Sequence, residues 1–273
     1  MSRRGSRSGV VSLPALDVRR RPDHRSELRS QLLLGEVVRR LSTSSDGLWW
    51  RVRNLADGYE GWVRAWGIVP AGPARAKRWE SRATARIAVP IAFARSGPRR
   101  GTAVAPLYLN TRVIPERRQG GHVRVELPDG RRGWVPRSAL SGPGGPPTLA
   151  ARIQSLLGTP YLWGGRTPAA FDCSGFTQQV MAERGVRLPR DAWQQRTACA
   201  RLRSGESAAE GDLVFFGTPR GRIAHVAIAL GGGYFADCRG AVRIASLSAG
   251  NPLYDNGLAR QYRGFRRPPP ASV

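Results

Sequence analysis

The first two thirds of the chain contain short runs in which apolar and charged residues alternate, a pattern typical of half-buried strands. Two such runs are WRVR at 50–53 and VRVE at 123–126. Each is followed by an Asp-Gly turn and a Gly-Trp-Val segment, in DGYEGWV at 57–63 and DGRRGWV at 129–135. The repeated order predicts two copies of one small β domain.

Units of roughly 60 residues that consist of short strands must close into barrels to protect their edges. We place the first barrel at residues 1–72 and the second, with a linker, at 73–147. The joint between them is PAGP at 70–73, and SGPGGPP at 141–147 is a Gly/Pro-rich linker.

A third domain with a different pattern is predicted at residues 148–273. Its first apolar residues have helical spacing and precede Gly158, which predicts a helix that ends there. These residues are Leu149, Ile153, Leu156 and Leu157. The apolar runs DLVFF at 212–216 and HVAIAL at 225–230 predict central strands buried on both faces. Helix followed by sheet indicates an α+β fold, so the whole chain is predicted as two small β-barrels followed by an α+β domain.

The third domain contains a candidate nucleophile in FDCSGF at 171–176. Apolar residues continue on one helical face after Cys173 until Gly185, which places this cysteine at or near a helix N-terminus. The positive end of the helix dipole favours a thiolate over a thiol, and the thiolate is the nucleophilic form.

A cysteine nucleophile needs a base that later returns a proton to the leaving amine, and imidazole serves both steps at neutral pH. Of the three histidines in the chain, only His225 lies in the third domain. Asp237 follows it by 12 residues, after a triple-glycine turn at 231–233. A hairpin at that turn would set the two side by side, with Asp237 orienting the imidazole.

The motifs YLWGG, FDCSGF, LPRDAWQQ, GDLVFF and AHVAIAL, in this order and spacing, resemble the NlpC-type cysteine peptidases, papain-like enzymes of the bacterial cell wall. The repeated segments before them resemble bacterial Src-homology-3-like barrels. Two barrels before such a domain are similar to the subgroup that cleaves the γ-D-glutamyl to diamino-acid bond of peptidoglycan stem peptides.

The resemblance implies roles for individual residues. It makes Cys173 the nucleophile and His225 the base, and it puts Asp237 at a third position that is commonly His, Asn or Gln. Tyr161 would lie beside the oxyanion, and Trp163 would form a wall of the cleft. Asp172 and Ser174 would contact substrate. Arg190 and Asp191 form either an internal ion pair or part of the cleft, and the sequence leaves both readings open.

In the two-barrel subgroup, a tyrosine of the first barrel, matching Tyr59, helps to hold a free N-terminal L-Ala ammonium together with carboxylates. One carboxylate would be Asp172, and Glu27, Glu36 and Glu60 are equal candidates for the other. A buried ammonium is costly unless carboxylates neutralise it, so this pocket would reject stems still linked to sugar. The resemblance therefore implies release of L-Ala-γ-D-Glu from free muropeptides during wall recycling.

The formal net charge is +25, and all but one of the 44 basic residues are arginine. A field of this size attracts polyanions but does not identify a fold or a reaction. No recognised nucleic-acid-binding motif accompanies it, so we expect no specific nucleic-acid partner. The expected partners are peptidoglycan-derived peptides and, through charge alone, anionic cell-wall polymers.

Three cysteines without a CxxC pair predict neither a disulfide framework nor a zinc site, and we expect no metal and no cofactor. Cys199 and Cys238 are interpreted as ordinary small residues. The N-terminus is a poor signal peptide, and no run of 18 apolar residues predicts a transmembrane segment. We therefore expect a cytoplasmic protein, with the cell envelope or secretion as the alternative if translation starts upstream.

Other functions remain open from the sequence. One is a wall-lytic hydrolase acting on intact peptidoglycan, or an acyltransferase on the same papain-like scaffold. Another is a module that binds polyanions or cell wall and has a decayed active site. The presence of Cys173, His225 and an acidic third residue argues against decay.

Overall fold

The computed structural model describes residues 7–271 and divides the chain into two compact units, the first ending at Pro146 and the second beginning at Pro147. The boundaries predicted for the three domains, after residue 72 and after residue 147, remain predictions. Residues 1–6 and 272–273 of the first and third predicted domains lie outside the described residues.

The first half of unit 1 is a seven-stranded antiparallel sheet with the order β3-β2-β6-β5-β4-β1-β7. Its strands are β1 (Ser8–Val11), β2 (Ala15–Arg19), β3 (Leu28–Leu33), β4 (Val37–Thr43), β5 (Trp49–Asn54), β6 (Glu60–Arg64) and β7 (Ile68–Ala71). Alternate residues of β2, such as Leu16 and Val18, point into one apolar core. This is the half-buried pattern that the alternation predicts.

The second half of unit 1 is a six-stranded antiparallel sheet with the order β10-β9-β13-β12-β11-β8. Its strands are β8 (Ala85–Arg86), β9 (Ile91–Arg95), β10 (Ala103–Tyr108), β11 (Arg112–Gln119), β12 (His122–Glu126) and β13 (Arg132–Pro136). In the first sheet the Gly-Trp-Val strand β6 lies between β5 and β2, and in the second sheet the matching strand β13 lies between β12 and β9. A 3₁₀ turn follows each of these strands, at Ala65–Gly67 and at Arg137–Ala139. The repeat in the sequence is thus a repeat in topology.

The glycines of the two Gly-Trp-Val segments occupy matching places where strands pass closely. A Cβ at Gly61 would lie 2.4 Å from Val18 Cγ1, and one at Gly133 would lie 2.7 Å from Ala94 Cβ. Both distances are below van der Waals contact, so the repeated motif needs glycine at these positions for strand packing.

Between the two sheets lies a helix that the sequence analysis did not predict, α1 (Pro73–Arg82). Proline at its first position fits a helix start, yet only Ala76 and Trp79 of this arginine-rich segment are buried. Trp79 Nε1 donates a hydrogen bond to the Gly35 carbonyl at 2.9 Å. The predicted joint at 70–73 is therefore followed by a packed helix, because a single tryptophan anchors it without a clear apolar period.

Unit 2 has a six-stranded antiparallel sheet with the order β16-β21-β17-β18-β19-β20 and a separate two-stranded ribbon, β14-β15. The helices are α2 (Leu149–Leu156), α3 (Cys173–Glu183), α4 (Ala192–Ala198) and α5 (Asn256–Gln261). The strands are β14 (Arg166–Thr167), β15 (Ala170–Phe171), β16 (Ala200–Arg201), β17 (Leu213–Gly217), β18 (Ile223–Gly231), β19 (Tyr234–Arg239), β20 (Ala241–Ser246) and β21 (Tyr262–Arg267).

Apolar clusters cover both faces of this sheet. One contains residues of α2 and α3 together with Val226 and Ile228, and the other contains Leu258 of α5 together with Phe216 and Ala227. All of β17 is buried, as the continuous apolar run predicts. The α+β prediction is confirmed, although Leu157 lies past the end of α2 and is 38% exposed.

The helices of both units are short. The longest, α3, has 11 residues. No helix between residues 7 and 271 is long and apolar enough to cross a membrane.

Candidate active site

Cys173 is the first residue of α3, and the Asp172 side chain caps this helix by accepting a hydrogen bond from the Gly175 amide at 2.6 Å. The β14–β15 ribbon leads directly into the helix, and the fully buried Phe171 anchors that junction. Cys173 is 8% exposed. The nearly buried side chain of Cys173 therefore lies at the positive end of the α3 dipole, a position that favours a bound or side-chain anion.

His225 comes from β18, makes a side-chain hydrogen bond with Asp237, and lies close enough to Cys173 for that residue to affect its pKa. Its Nε2 lies 2.7 Å from Asp237 Oδ2, which leaves Nδ1 for the cysteine. Burial lowers the pKa of His225, but the hydrogen bond to Asp237, the interaction with Cys173 and the negative charges of both residues outweigh burial and raise it to about 9. The imidazole is therefore held in its protonated form beside the sulfur at neutral pH.

Asp237 lies on β19 and is completely buried. The β18–β19 hairpin, which turns at the three glycines, brings it alongside His225 as the sequence analysis expects. Its second oxygen, Oδ1, accepts a hydrogen bond from Arg243 Nε at 3.0 Å. The structure thus brings Cys173, His225 and Asp237 together, with His225 hydrogen-bonded to Asp237 and Cys173 near the same imidazole.

The chain of charges extends past Asp237 to two residues that the sequence analysis missed. Arg243 lies directly opposite Asp237 in the β19–β20 pairing, and its Nη2 donates to Asp255 Oδ2 at 2.7 Å. Asp255 also pairs with Arg239 at 3.3 Å. The glycine turn at Gly240 is the signal in the sequence that could have placed Arg243 opposite Asp237.

Behind the nucleophile, Arg190 and Asp172 form a buried ion pair. Arg190 donates from Nη1 to Asp172 Oδ1 at 3.0 Å and from Nη2 to Oδ2 at 2.6 Å, and it is 1% exposed. Ser174 Oγ accepts from Arg190 Nη1 at 2.8 Å and is also buried. Arg190 therefore forms an internal ion pair with Asp172, toward which Ser174 also turns, while Asp191 is the N-cap residue of α4.

Tyr161 and Trp163 lie in the segment that leads toward the β14–β15 ribbon. The pKa of Tyr161 is raised well above its usual range because the ring is half-buried and because Cys173 and Asp172 place negative charge nearby. Its hydroxyl therefore stays protonated and can donate a hydrogen bond. Trp163 is 61% exposed.

Tyr59 and the three candidate carboxylates lie in unit 1. The Tyr59 ring packs on the first barrel core, with the Arg29 guanidinium 5.5 Å from its centroid. Each carboxylate already has partners in the same barrel: Glu27 pairs with Arg20, Glu36 accepts from the Leu33 amide and from Asn54, and Glu60 pairs with Arg51 and Arg53. Their role with an ammonium group remains a prediction.

The other two thiols differ from Cys173. Cys199 and Cys238 are buried and free. Burial raises the pKa of Cys199 to about 12 and raises that of Cys238 further. Between residues 7 and 271, no group of three or more His, Cys, Asp or Glu side chains is arranged to hold a metal ion.

Two segments of the chain match known protein families. Residues 158–260 match the NlpC/P60 family, and residues 18–67 match the bacterial dipeptidyl-peptidase Sh3 domain. The first match contains Cys173, His225 and Asp237, and the second contains Tyr59.

Among curated proteins, the gamma-D-glutamyl-L-lysine dipeptidyl-peptidase of Bacillus subtilis is 31% identical over 224 residues, which cover 76% of this chain and 70% of that protein. The probable endopeptidase p60 of Listeria welshimeri is 48% identical over 85 residues, or 31% of this chain. The chain spans 16% of the length of that p60 protein.

Among solved structures, an NlpC/P60 family protein from Bacillus cereus superposes with a TM-score of 0.81 at 21% identity. The match covers 96% of this chain and 100% of that one. At this identity the likeness establishes a shared fold, which includes both the β-rich first unit and the α+β second unit.

Proposed function

Because the chain belongs to the NlpC/P60 family, we propose that it hydrolyses the γ-D-glutamyl to diamino-acid bond of peptidoglycan stem peptides with Cys173 as nucleophile. The observation that carries the proposal is the position of His225, which is hydrogen-bonded to Asp237 and lies close enough to Cys173 for the two groups to affect each other's charge. This is the arrangement that cysteine peptide hydrolysis needs.

The reaction follows from that arrangement. The Cys173 thiolate attacks the γ-carbonyl carbon of D-Glu, and the backbone amide of Cys173, with the Tyr161 hydroxyl beside it, stabilises the resulting oxyanion. The protonated His225 gives its proton to the leaving amine, so the C–N bond breaks and a thioester remains. His225 then takes a proton from water, the hydroxide adds to the thioester, and cleavage of the C–S bond restores the thiolate.

Asp237 fixes the ring of His225 during both steps. Since its Oδ2 holds Nε2, the imidazole keeps Nδ1 toward the sulfur and the leaving amine. Its negative charge stabilises the imidazolium that must persist until the amine departs. A neutral residue at the same place would orient the ring without this stabilisation.

We extend the proposal to free muropeptides, from which the enzyme releases L-Ala-γ-D-Glu. The named activity of the Bacillus subtilis relative supports a dipeptidyl product. Arg190 neutralises Asp172, so Asp172 by itself supplies no net negative charge for an L-Ala ammonium. We further propose that the reaction serves wall recycling in the cytoplasm, which fractionation of cells and immunodetection would test.

One experiment tests the activity. The purified protein is incubated with L-Ala-γ-D-Glu-diamino-acid peptide, and the fragments are identified by mass. Cys173→Ala should abolish release of L-Ala-γ-D-Glu, while Cys199→Ala, which removes a buried thiol elsewhere, should retain it. Release at the wild-type rate by Cys173→Ala would end the proposal.

The same incubation with N-acetylated peptide and with insoluble wall separates the alternatives. A pocket for a free ammonium predicts cleavage of the free-amine peptide only. Equal cleavage of the acetylated peptide would remove the ammonium pocket, and solubilisation of intact wall would favour a lytic hydrolase.

A further inference from the structure

A cationic hollow beside strand β21 has no role in the reaction described above. It is a cavity of about 440 Å³ in unit 2, and three arginines line it together with Glu206 and Tyr262. Arg196 belongs to α4, Arg201 to β16 and Arg266 to β21. We call this cavity, with these five residues, the β21 hollow.

Strand pairing forces two of these arginines together. In the antiparallel pairing of β16 with β21, Arg201 lies directly opposite Arg266. Side chains of directly opposed residues share one face of the sheet with Cβ atoms about 5 Å apart, and like charges in that position repel. Arg196 joins them from α4, because its Nη2 donates to the carbonyl of Arg263 on β21 at 3.4 Å. Three positive charges therefore meet beside strand β21.

Nearby carboxylates do not neutralise these charges. Among residues 7–271, the three arginines of the β21 hollow form no ion pair. Glu206 lines the hollow, but its partner is Arg267, the next residue along β21. Arg267 also pairs with Asp212 at 3.0 Å. The hollow therefore keeps an excess of positive charge.

The lack of a counter-charge destabilises the groups in the hollow. The pKa of Arg266 is lowered, first by burial and then by repulsion from Arg196 and Arg201. Arg196 Nε is buried and has no hydrogen-bond partner. A buried donor without an acceptor is unfavourable. An anion bound between the three guanidinium groups would offset their repulsion and bring an acceptor to Arg196.

The number and type of these groups define the ligand. A guanidinium fork matches the oxygens of phosphate, and a phosphate monoester carries a charge of about −1.5 to −2 at pH 7. Three guanidinium groups therefore match two adjacent phosphates better than one. The cavity volume lies in the range of ligand sites, about 300–1,000 Å³, so the hollow also accommodates an organic group esterified to the phosphates.

We propose that the β21 hollow binds a diphosphate group, either free or carried by an organic ester. Tyr262 lines the same hollow and is 40% exposed, so the organic group of an ester has an aromatic residue to contact. Binding there needs neither Cys173 nor His225. The hollow is thus a second site, separate from the proposed hydrolysis.

Calorimetry of the purified full chain tests the site with pyrophosphate, orthophosphate and sulfate at one ionic strength, so that screening is the same for all three. Arg201→Gln and Arg266→Gln each remove one cation of the hollow. Arg220→Gln is the matched control, because Arg220 is an exposed arginine of unit 2 that does not line the hollow. Uridine diphosphate distinguishes the two sources: tighter binding than pyrophosphate identifies an ester, and equal or weaker binding identifies free diphosphate.

We expect pyrophosphate to bind about fivefold tighter than orthophosphate or sulfate, the amount that one additional partly exposed ion pair supplies. Arg201→Gln and Arg266→Gln should each weaken pyrophosphate binding about threefold to fivefold, and Arg220→Gln should bind as the wild type does. Equal affinity for all three anions, or unchanged pyrophosphate affinity in both hollow variants, would overturn the proposal.

Thermal unfolding separates a ligand site from a structural role of the same arginines. Without ligand, Arg201→Gln should unfold at or slightly above the wild-type Tm, because it removes the cross-strand repulsion. Pyrophosphate should raise the Tm of the wild type and raise that of Arg201→Gln less. A lower Tm without ligand together with an equal rise in pyrophosphate would contradict the proposal. Hydrolysis of the L-Ala-γ-D-Glu-diamino-acid peptide should be the same in both proteins, so failure of the hollow and failure of the proposed function are measured separately.

Discussion

The charge on Asp237 should set the upper pH limit of activity, and Asp237→Asn tests this directly. Asparagine has nearly the same shape and can still accept a hydrogen bond from His225 Nε2, which now lies 2.7 Å from the carboxylate. The change therefore removes one buried negative charge and keeps the position of the ring. In this variant the groups that still affect the pKa of His225 are Cys173 from α3 and, through its contact with residue 237, Arg243 from β20.

The size of the effect follows from the distance and the burial. An opposite charge in contact with a buried group shifts its pKa by about one to three pH units, and the carboxylate at 2.7 Å is completely buried. Since the pKa of His225 is raised to about 9, we expect Asp237→Asn to bring it down to roughly 7. This corresponds to about 3 kcal/mol of lost stabilisation of the imidazolium.

The direction follows from the form of the histidine that reacts. The imidazolium gives its proton to the leaving amine, so activity is present below the pKa of His225 and is lost as pH rises through it. Wild-type kcat/KM should hold to about pH 9, and that of Asp237→Asn should fall about two pH units earlier. The pH dependence of Cys173 alkylation by iodoacetamide supplies a second measurement that needs no leaving group.

Arg243→Gln is the matched control with the opposite sign. It removes the cation that now partly neutralises Asp237, so the carboxylate acts more strongly on His225 and the alkaline limb should move upward. The shift should be about half a pH unit, because the Arg243 side chain is 37% exposed and solvent screens it. An unchanged alkaline limb in Asp237→Asn, or a shift of both variants in the same direction, would refute the reasoning.

Two further predictions concern burial in unit 2. Glu183 and Arg152 form an ion pair with side-chain exposures of 1% and 3%, so Glu183→Ala should lower the free energy of unfolding by about 3–5 kcal/mol in urea titration, because it leaves a buried cation. Replacing both partners together, as Arg152→Met with Glu183→Leu, should restore most of that loss, and a single variant as stable as wild type would contradict the account. Iodoacetamide at pH 7 should label Cys173 alone in the folded protein, since burial raises the pKa of Cys199 to about 12 and that of Cys238 further. Peptide mass analysis counts the labels, and equal labelling of Cys238 before unfolding would contradict this.

Much of the architecture follows from local signals in the sequence. Alternation of apolar and charged residues predicted strands such as β5 and β12, and the continuous run DLVFF predicted the buried strand β17. The helix that begins at Cys173 was also predicted, and Asp172 caps it as local chemistry requires. The helix α1 was missed, because its packing depends on one tryptophan and a distant carbonyl.

The sequence by itself determined the chemical types at the site: one thiol in the nucleophile motif and a single imidazole in the same domain, with Asp237 after a glycine turn. Only the tertiary structure decided that Arg190 binds Asp172 and that Arg243 faces Asp237. The reason is physical. Strand period, helix caps and turns depend on neighbours along the chain, whereas a chain with so many arginines offers each carboxylate many partners, and strand register and helix packing select the one that binds.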